Sequence, residues 1–87
     1  MTDVLHVEDN PAVLASFKTL ATAFQVDFEQ REDEINALKF IKDHPEVKAV
    51  VCDLNLYGDD DDRAGLEVIE AAIAAGVANV VLATSST

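Results

Sequence analysis

Four short strand-like runs divide the chain, and the stretches between them repeat apolar residues at helical spacing. The runs are Val4-Leu5-His6-Val7, Val26-Asp27-Phe28-Glu29, Ala49-Val50-Val51-Cys52 and Val80-Val81-Leu82-Ala83. After the first, Asn10-Pro11 reads as a helix start, with Asn as N-cap and Pro at the first helical position. Val13, Phe17, Leu20 and Phe24 follow at spacings of four, three and four, with Leu14 and Ala21 beside them, and predict one apolar helix face. Asp33 to Asp43 carries Ile35, Leu38 and Ile41, widened by Phe40, and Pro45 after His44 stops this second helix. Leu66, Ile69 and Ile73 mark a third, with Gly76 as its left-handed cap. The continuous apolar run before Asp53 suits a strand buried on both faces. Alternating strands and helices predict an α/β domain: a parallel sheet with helices on both faces.

At 87 residues the chain makes one small domain, and 49% apolar content excludes disorder. Seventeen acids against six Lys and Arg give a formal charge of −11. Nucleic acid and anionic membranes repel such a particle, whereas divalent cations and basic partners suit it. The single cysteine, Cys52, can form no internal disulfide, and Met1-Thr2-Asp3 opens no secretory signal, so the expected compartment is the cytoplasm. Glycines at 58, 65 and 76 alone spell neither GxGxxG nor a P-loop.

Polar residues close three of the runs: Glu8 and Asp9 the first, Asp53 the third, Thr84 the fourth. In an open parallel sheet these carboxyl ends share one edge, where ligands bind. Carboxylates gathered there at about 5 Å, in an effective dielectric near 20, repel by on the order of 3 kcal/mol per pair before screening. A hard divalent cation with oxygen ligands relieves that repulsion, and Mg²⁺ is usual where phosphate chemistry follows.

Val7-Glu8-Asp9-Asn10-Pro11, Val51-Cys52-Asp53-Leu54-Asn55-Leu56, Gly65-Leu66-Glu67 and Val81-Leu82-Ala83-Thr84-Ser85, in this order and spacing, resemble the successive motifs of the response-regulator receiver domain of two-component signalling. The resemblance covers nearly the whole chain, residues 1–87 as a single domain. It implies a flavodoxin-like fold of strand order 2-1-3-4, lacking the fifth βα unit. It also implies that Asp53 is the phosphoacceptor for a histidine kinase or histidine phosphotransfer protein, and that the chain is not a conventional enzyme. Glu8, Asp9, Asp53 and the backbone carbonyl of Asn55 would hold Mg²⁺; Thr84 would bind a phosphoryl oxygen and switch with it, and the small Ser85 would leave that group room.

The chain departs from the family pattern in three places. It stops after the fourth strand, before the lysine and the aromatic switch residue that receivers carry further on, and neither Lys48 nor Arg63 matches that lysine. The stretch from Asp53 to Gly65 is lengthened by Asp59-Asp60-Asp61-Asp62, read as a solvated loop or as extra cation capture, and Tyr57 stands where a proline is common. Truncation is expected to leave one sheet face bare and the fourth strand as an unprotected edge, so a homodimer that covers the bare face or pairs the fourth strands is expected; the competing explanation is a fragment, or a partial gene product whose missing part another protein supplies. A second functional reading stays open beside the phosphoacceptor: a pseudo-receiver binding module, decoy or adaptor, acting without phosphorylation. His6 is expected to be a satisfied core histidine, Cys52 a buried small hydrophobe, His44 a helix-end residue, and the Phe17–Phe24 stripe core or interface.

Overall fold

The computed structural model describes residues 2–53 and 64–83. The elements are β1 (Val4–Val7), α1 (Pro11–Ala23), β2 (Phe28–Arg31), α2 (Glu34–Asp43), β3 (Ala49–Asp53), α3 (Ala64–Ala74) and β4 (Asn79–Ala83). The strands form one sheet in the order β2-β1-β3-β4, every pairing parallel, as the alternating pattern and the receiver resemblance predict. Val7 lies opposite Cys52 and Asp53 opposite Ala83, which brings the carboxyl ends of β1, β3 and β4 to one rim.

Local chemistry sets the helix ends. The Asn10 side chain accepts the Ala12 N–H at 2.9 Å, with Pro11 opening α1. Asp33 caps α2, accepting the Asn36 N–H at 2.8 Å and its side-chain amide at 2.9 Å; these bonds hold its carboxyl below the usual range. Two helices end in the same paired-bond motif. Beyond α3, Gly76 N–H bonds Ile73 O and Val77 N–H bonds Ala72 O, with Gly76 at φ +84° as its sequence position predicts. Beyond α1, Gln25 N–H bonds Thr22 O and Val26 N–H bonds Ala21 O, and Gln25 takes the left-handed position at φ 58° without being glycine.

Side chains alternate across the sheet. Leu5, Val7, Val50 and Cys52 face α2 and α3, fully buried in one cluster with Ala37, Phe40, Ile41, Val68, Ala72 and Val77. His6 and Gln30 face α1. The His6 ring stacks on Phe17 at 4.0 Å, Phe17 meets Phe28 edge-on at 5.8 Å, and the Gln30 amide spans His6 Nδ1 at 3.1 Å and Leu14 O at 2.9 Å. Buried and partnered, His6 is the core histidine expected of it; burial lowers its pKa, opposed by the nearby Asp53 charge.

Three expectations need correction. The second strand begins at Phe28 rather than Val26, because the Val26 N–H is spent on the α1 cap while Asp27 O accepts from Asp3 and Val4. The α1 stripe is only partly inward: Leu14, Phe17 and Ala21 face the sheet, while Leu20 and Phe24 are 60% and 77% exposed. Ile35 and Ile73 are likewise on the surface, at 79% and 63%. Spacing of the largest side chains does not capture the inward faces of α2 and α3, whose buried positions include the small residues Ala37, Ala64, Gly65 and Ala72 beside Phe40, Ile41 and Val68.

Candidate functional site

Glu8 follows the last residue of β1 and Asp53 is the last of β3. Since Val7 and Cys52 are register partners, Glu8 and Asp53 become neighbours on the α1 face, one residue further on. The Glu8 backbone N–H bonds Arg31 O at 3.0 Å, extending the β1–β2 ladder and fixing the residue at the rim. Asp9 comes next, at the turn into the Asn10 cap. One carboxylate oxygen each from Glu8, Asp9 and Asp53 lies within 4.8 Å of the others. Glu8 and Asp53 are buried and Asp9 is exposed, so the cluster opens to solvent on one side.

This packing of acids reshapes their chemistry. Glu8 is pushed up to about 7, first by burial, then by its hydrogen bond to Asp53 and by the charges of Asp53 and Asp9; the Asn10 N–H partly offsets this. A proton shared between Glu8 and Asp53 is one way to relieve the repulsion, and a cation is the other. Three carboxylate oxygens at this spacing fit a hard, oxygen-preferring divalent ion. Cys52, on the opposite face, is pushed up to about 12 by burial and then by the Asp53 and Glu8 charges, so it stays a neutral thiol in the core.

The structure thus brings together the three acids that the sequence singled out. Lys48, by contrast, precedes β3, at the end opposite Asp53, and its ammonium pairs with Asp3 at 3.6 Å. Asn55, Thr84, Ser85, Tyr57, Arg63 and the Asp59–Asp62 run lie outside the described residues. Gln30 was missed in the sequence. Its signal was a long amide inside a short strand, the residue type that can reach both a neighbouring strand and the helix above.

No family model matches the chain, and no curated protein sequence does. Solved structures do. The signal receiver domain of a Luxo repressor protein from Vibrio parahaemolyticus superposes with a TM-score of 0.75 at 22% identity, over 100% of this chain and 65% of that one. The MaeR response regulator bound to beryllium trifluoride gives 0.74 at 21%, over 100% and 70%. A de novo designed Rossmann 2x3 protein gives 0.76 at 16%, over 99% and 63%. The chain therefore has the flavodoxin-like α/β fold of response-regulator receiver domains, and spans about two thirds of the length of those neighbours. A designed protein superposes as well as the receivers, so the fold by itself assigns no activity. No helix among the described residues is long and apolar enough to cross a membrane.

Proposed function

We propose that the chain is a receiver-type phosphoacceptor in a phosphorelay, with Asp53 as the residue phosphorylated. The supporting observation is the meeting of Glu8, Asp9 and Asp53 within 4.8 Å at the carboxyl rim of a receiver-like sheet. In this reading an Asp53 carboxylate oxygen bonds to phosphorus as the phosphorus–nitrogen bond of a donor phosphohistidine breaks, and the electron pair leaves with the imidazole. Such transfers need alignment and neutralised oxygen charge more than covalent assistance. Glu8, Asp9, Asp53 and the Asn55 carbonyl are the Mg²⁺ ligands of the proposal, and the bound ion supplies that neutralisation. Thr84 and Ser85 are its phosphoryl-binding and switch residues. Glu8 must give up its proton before it can serve as a ligand, so cation binding strengthens as pH rises through about 7.

The partners in this reading are a histidine kinase or histidine phosphotransfer protein and a second copy of the chain, and its compartment is the cytoplasm. The test is incubation with a small acyl-phosphate donor and Mg²⁺, followed by intact mass. Wild type is expected to gain one phosphoryl group and Asp53→Ala none. A wild type that gains none with donor and Mg²⁺ in excess overturns the proposal in favour of a binding module that works unphosphorylated.

A further inference from the structure

The three acids of the rim are not held by the same part of the molecule. Glu8 is fastened to β2 through its backbone N–H, and Asp53 is the last residue of β3. Asp9 lies past that ladder and leads through the Asn10 cap into α1. Asn10 bears on Glu8 as well, since the Glu8 carboxylate accepts the Asn10 N–H. Where α1 rests on the sheet therefore sets where Asp9 stands and how the Glu8 carboxylate is held.

A cross-strand pair two residues before the rim fixes that resting place. His6 and Gln30 are register partners on β1 and β2. A carbonyl oxygen only accepts, so the group facing Leu14 O at 2.9 Å is the Gln30 amide nitrogen. Its second hydrogen is left for His6 Nδ1 at 3.1 Å, which makes Nδ1 the acceptor and puts the ring proton on Nε2. Held this way, the ring stacks on Phe17 at 4.0 Å, three residues further along α1. The path back to the rim runs through main-chain bonds: the Leu14 N–H bonds Asn10 O at 3.0 Å, and the Asn10 N–H reaches Glu8. A half-buried amide destabilises unless its donors are matched, and here both are matched by groups that locate α1.

We infer that Gln30 is a positioning residue for the acidic rim, tying α1 to the sheet at Leu14 so that Asp9 meets Glu8 and Asp53. The inference rests on the cation-binding part of the function proposed above. Mg²⁺ demands near-octahedral oxygens at about 2.1 Å, whereas the larger Ca²⁺ accepts looser and more variable shells. A loosened α1 therefore penalises Mg²⁺ more than Ca²⁺, a difference that lost stability alone does not produce.

The test is calorimetric titration of the full chain at pH 8 with Mg²⁺ and, separately, with Ca²⁺. Wild type is compared with Gln30→Met, which keeps the length and removes the amide, and with Val68→Ala, which opens a cavity in the closed core. All three are titrated at a temperature where far-UV circular dichroism shows them folded. Gln30→Met is expected to weaken Mg²⁺ binding by about tenfold, the lower end for residues that orient metal ligands, and Ca²⁺ binding by about threefold. Val68→Ala is expected to lower the urea midpoint and leave the ratio of the two constants unchanged. A wild type without measurable Mg²⁺ binding overturns the cation site and this inference with it. Binding in wild type with both constants unchanged in Gln30→Met leaves the site standing and overturns the role of Gln30. Equal weakening of both ions in Gln30→Met, or as large a change of ratio in Val68→Ala, assigns the effect to general loss of structure and overturns that role too. If Gln30→Met loses its fold, Gln30→Ser, which is too short to reach Leu14 O, decides on the same ratio.

Discussion

The two faces of this sheet are built from the same strands, one residue out of phase, and they are unlike in every other respect. Toward α2 and α3 lie Leu5, Val7, Val50 and Cys52, fully buried among aliphatic and small side chains. Toward α1 lie His6, Glu8, Val51 and Asp53, with an amide bridge, a carboxylate cluster and an open apolar groove. The closed face supplies the hydrophobic driving force; the other face holds polar groups that weaken packing but can bind. In a domain this small, one well-packed side is what allows the opposite side to carry repelling acids.

The largest expected effects test that division directly. Leu5→Ala, on the closed face, should cost about 3 kcal/mol of unfolding free energy in urea titrations, whereas Val81→Ala, half-exposed on the other face, should cost about 0.5 kcal/mol or less. Equal losses would abolish the asymmetry.

The pH dependence should also belong to the open face. Glu8 is raised from 4.5 to about 7 in the folded chain, so the native state binds more protons than the unfolded one between those values. Without divalent cations, the stability Glu8 contributes is full below about pH 4.5 and is lost as pH rises through about 7. The urea midpoint should therefore be higher near pH 5 than near pH 8. Glu8→Gln, neutral throughout, should flatten that slope, and Mg²⁺ should raise the midpoint more near pH 8, where protons no longer compete. A slope unchanged by Glu8→Gln would assign the titration elsewhere.

The smallest effects compare the two left-handed caps, one on each face. Gly76→Ala should destabilise by about 1 kcal/mol through backbone strain alone, since an added Cβ meets nothing within 4 Å. Gln25→Gly should stabilise by about 0.5 kcal/mol, because the same conformation there is held by a residue with a Cβ. Thermal unfolding of the pair should shift in opposite directions.

Most of the architecture was legible in the sequence. Asn10-Pro11, Asp33 and Gly76 act locally, so their caps could be read residue by residue; the continuous run before Asp53 does form β3, but it is fully buried on one face only, Ala49 and Val51 being half-buried on the α1 side. The meeting of Glu8, Asp9 and Asp53 was legible because strand ends in a parallel sheet share an edge by topology, whatever the loops do. What escaped was decided by packing partners. Which of the apolar residues on α1 face inward depends on where the helix rests, so Phe17 and Phe24 look alike in sequence and differ in burial. The Gln25 cap escaped because its left-handed position is held by a residue other than glycine, so residue identity carries no mark of it. The Gln30 residue type shows how far it can reach, but the partners it finds, His6 and Leu14 O, depend on how strand and helix pack.

The carboxylate trio has one more consequence. Glu8 and Asp53 stand 45 positions apart, joined only after the chain has laid down β2 and α2 and returned through β3. In an unfolded polymer Asp53 is separated from the adjacent pair Glu8 and Asp9, and an ion gains little by visiting either alone. A divalent ion bound as proposed would therefore discriminate between assembled and unassembled chains, each tenfold excess over its dissociation constant adding about 1.4 kcal/mol to the assembled side. On the proposed reading, chelation and completion of the fold would be linked, and chelator should lower the urea midpoint of a chain prepared with Mg²⁺.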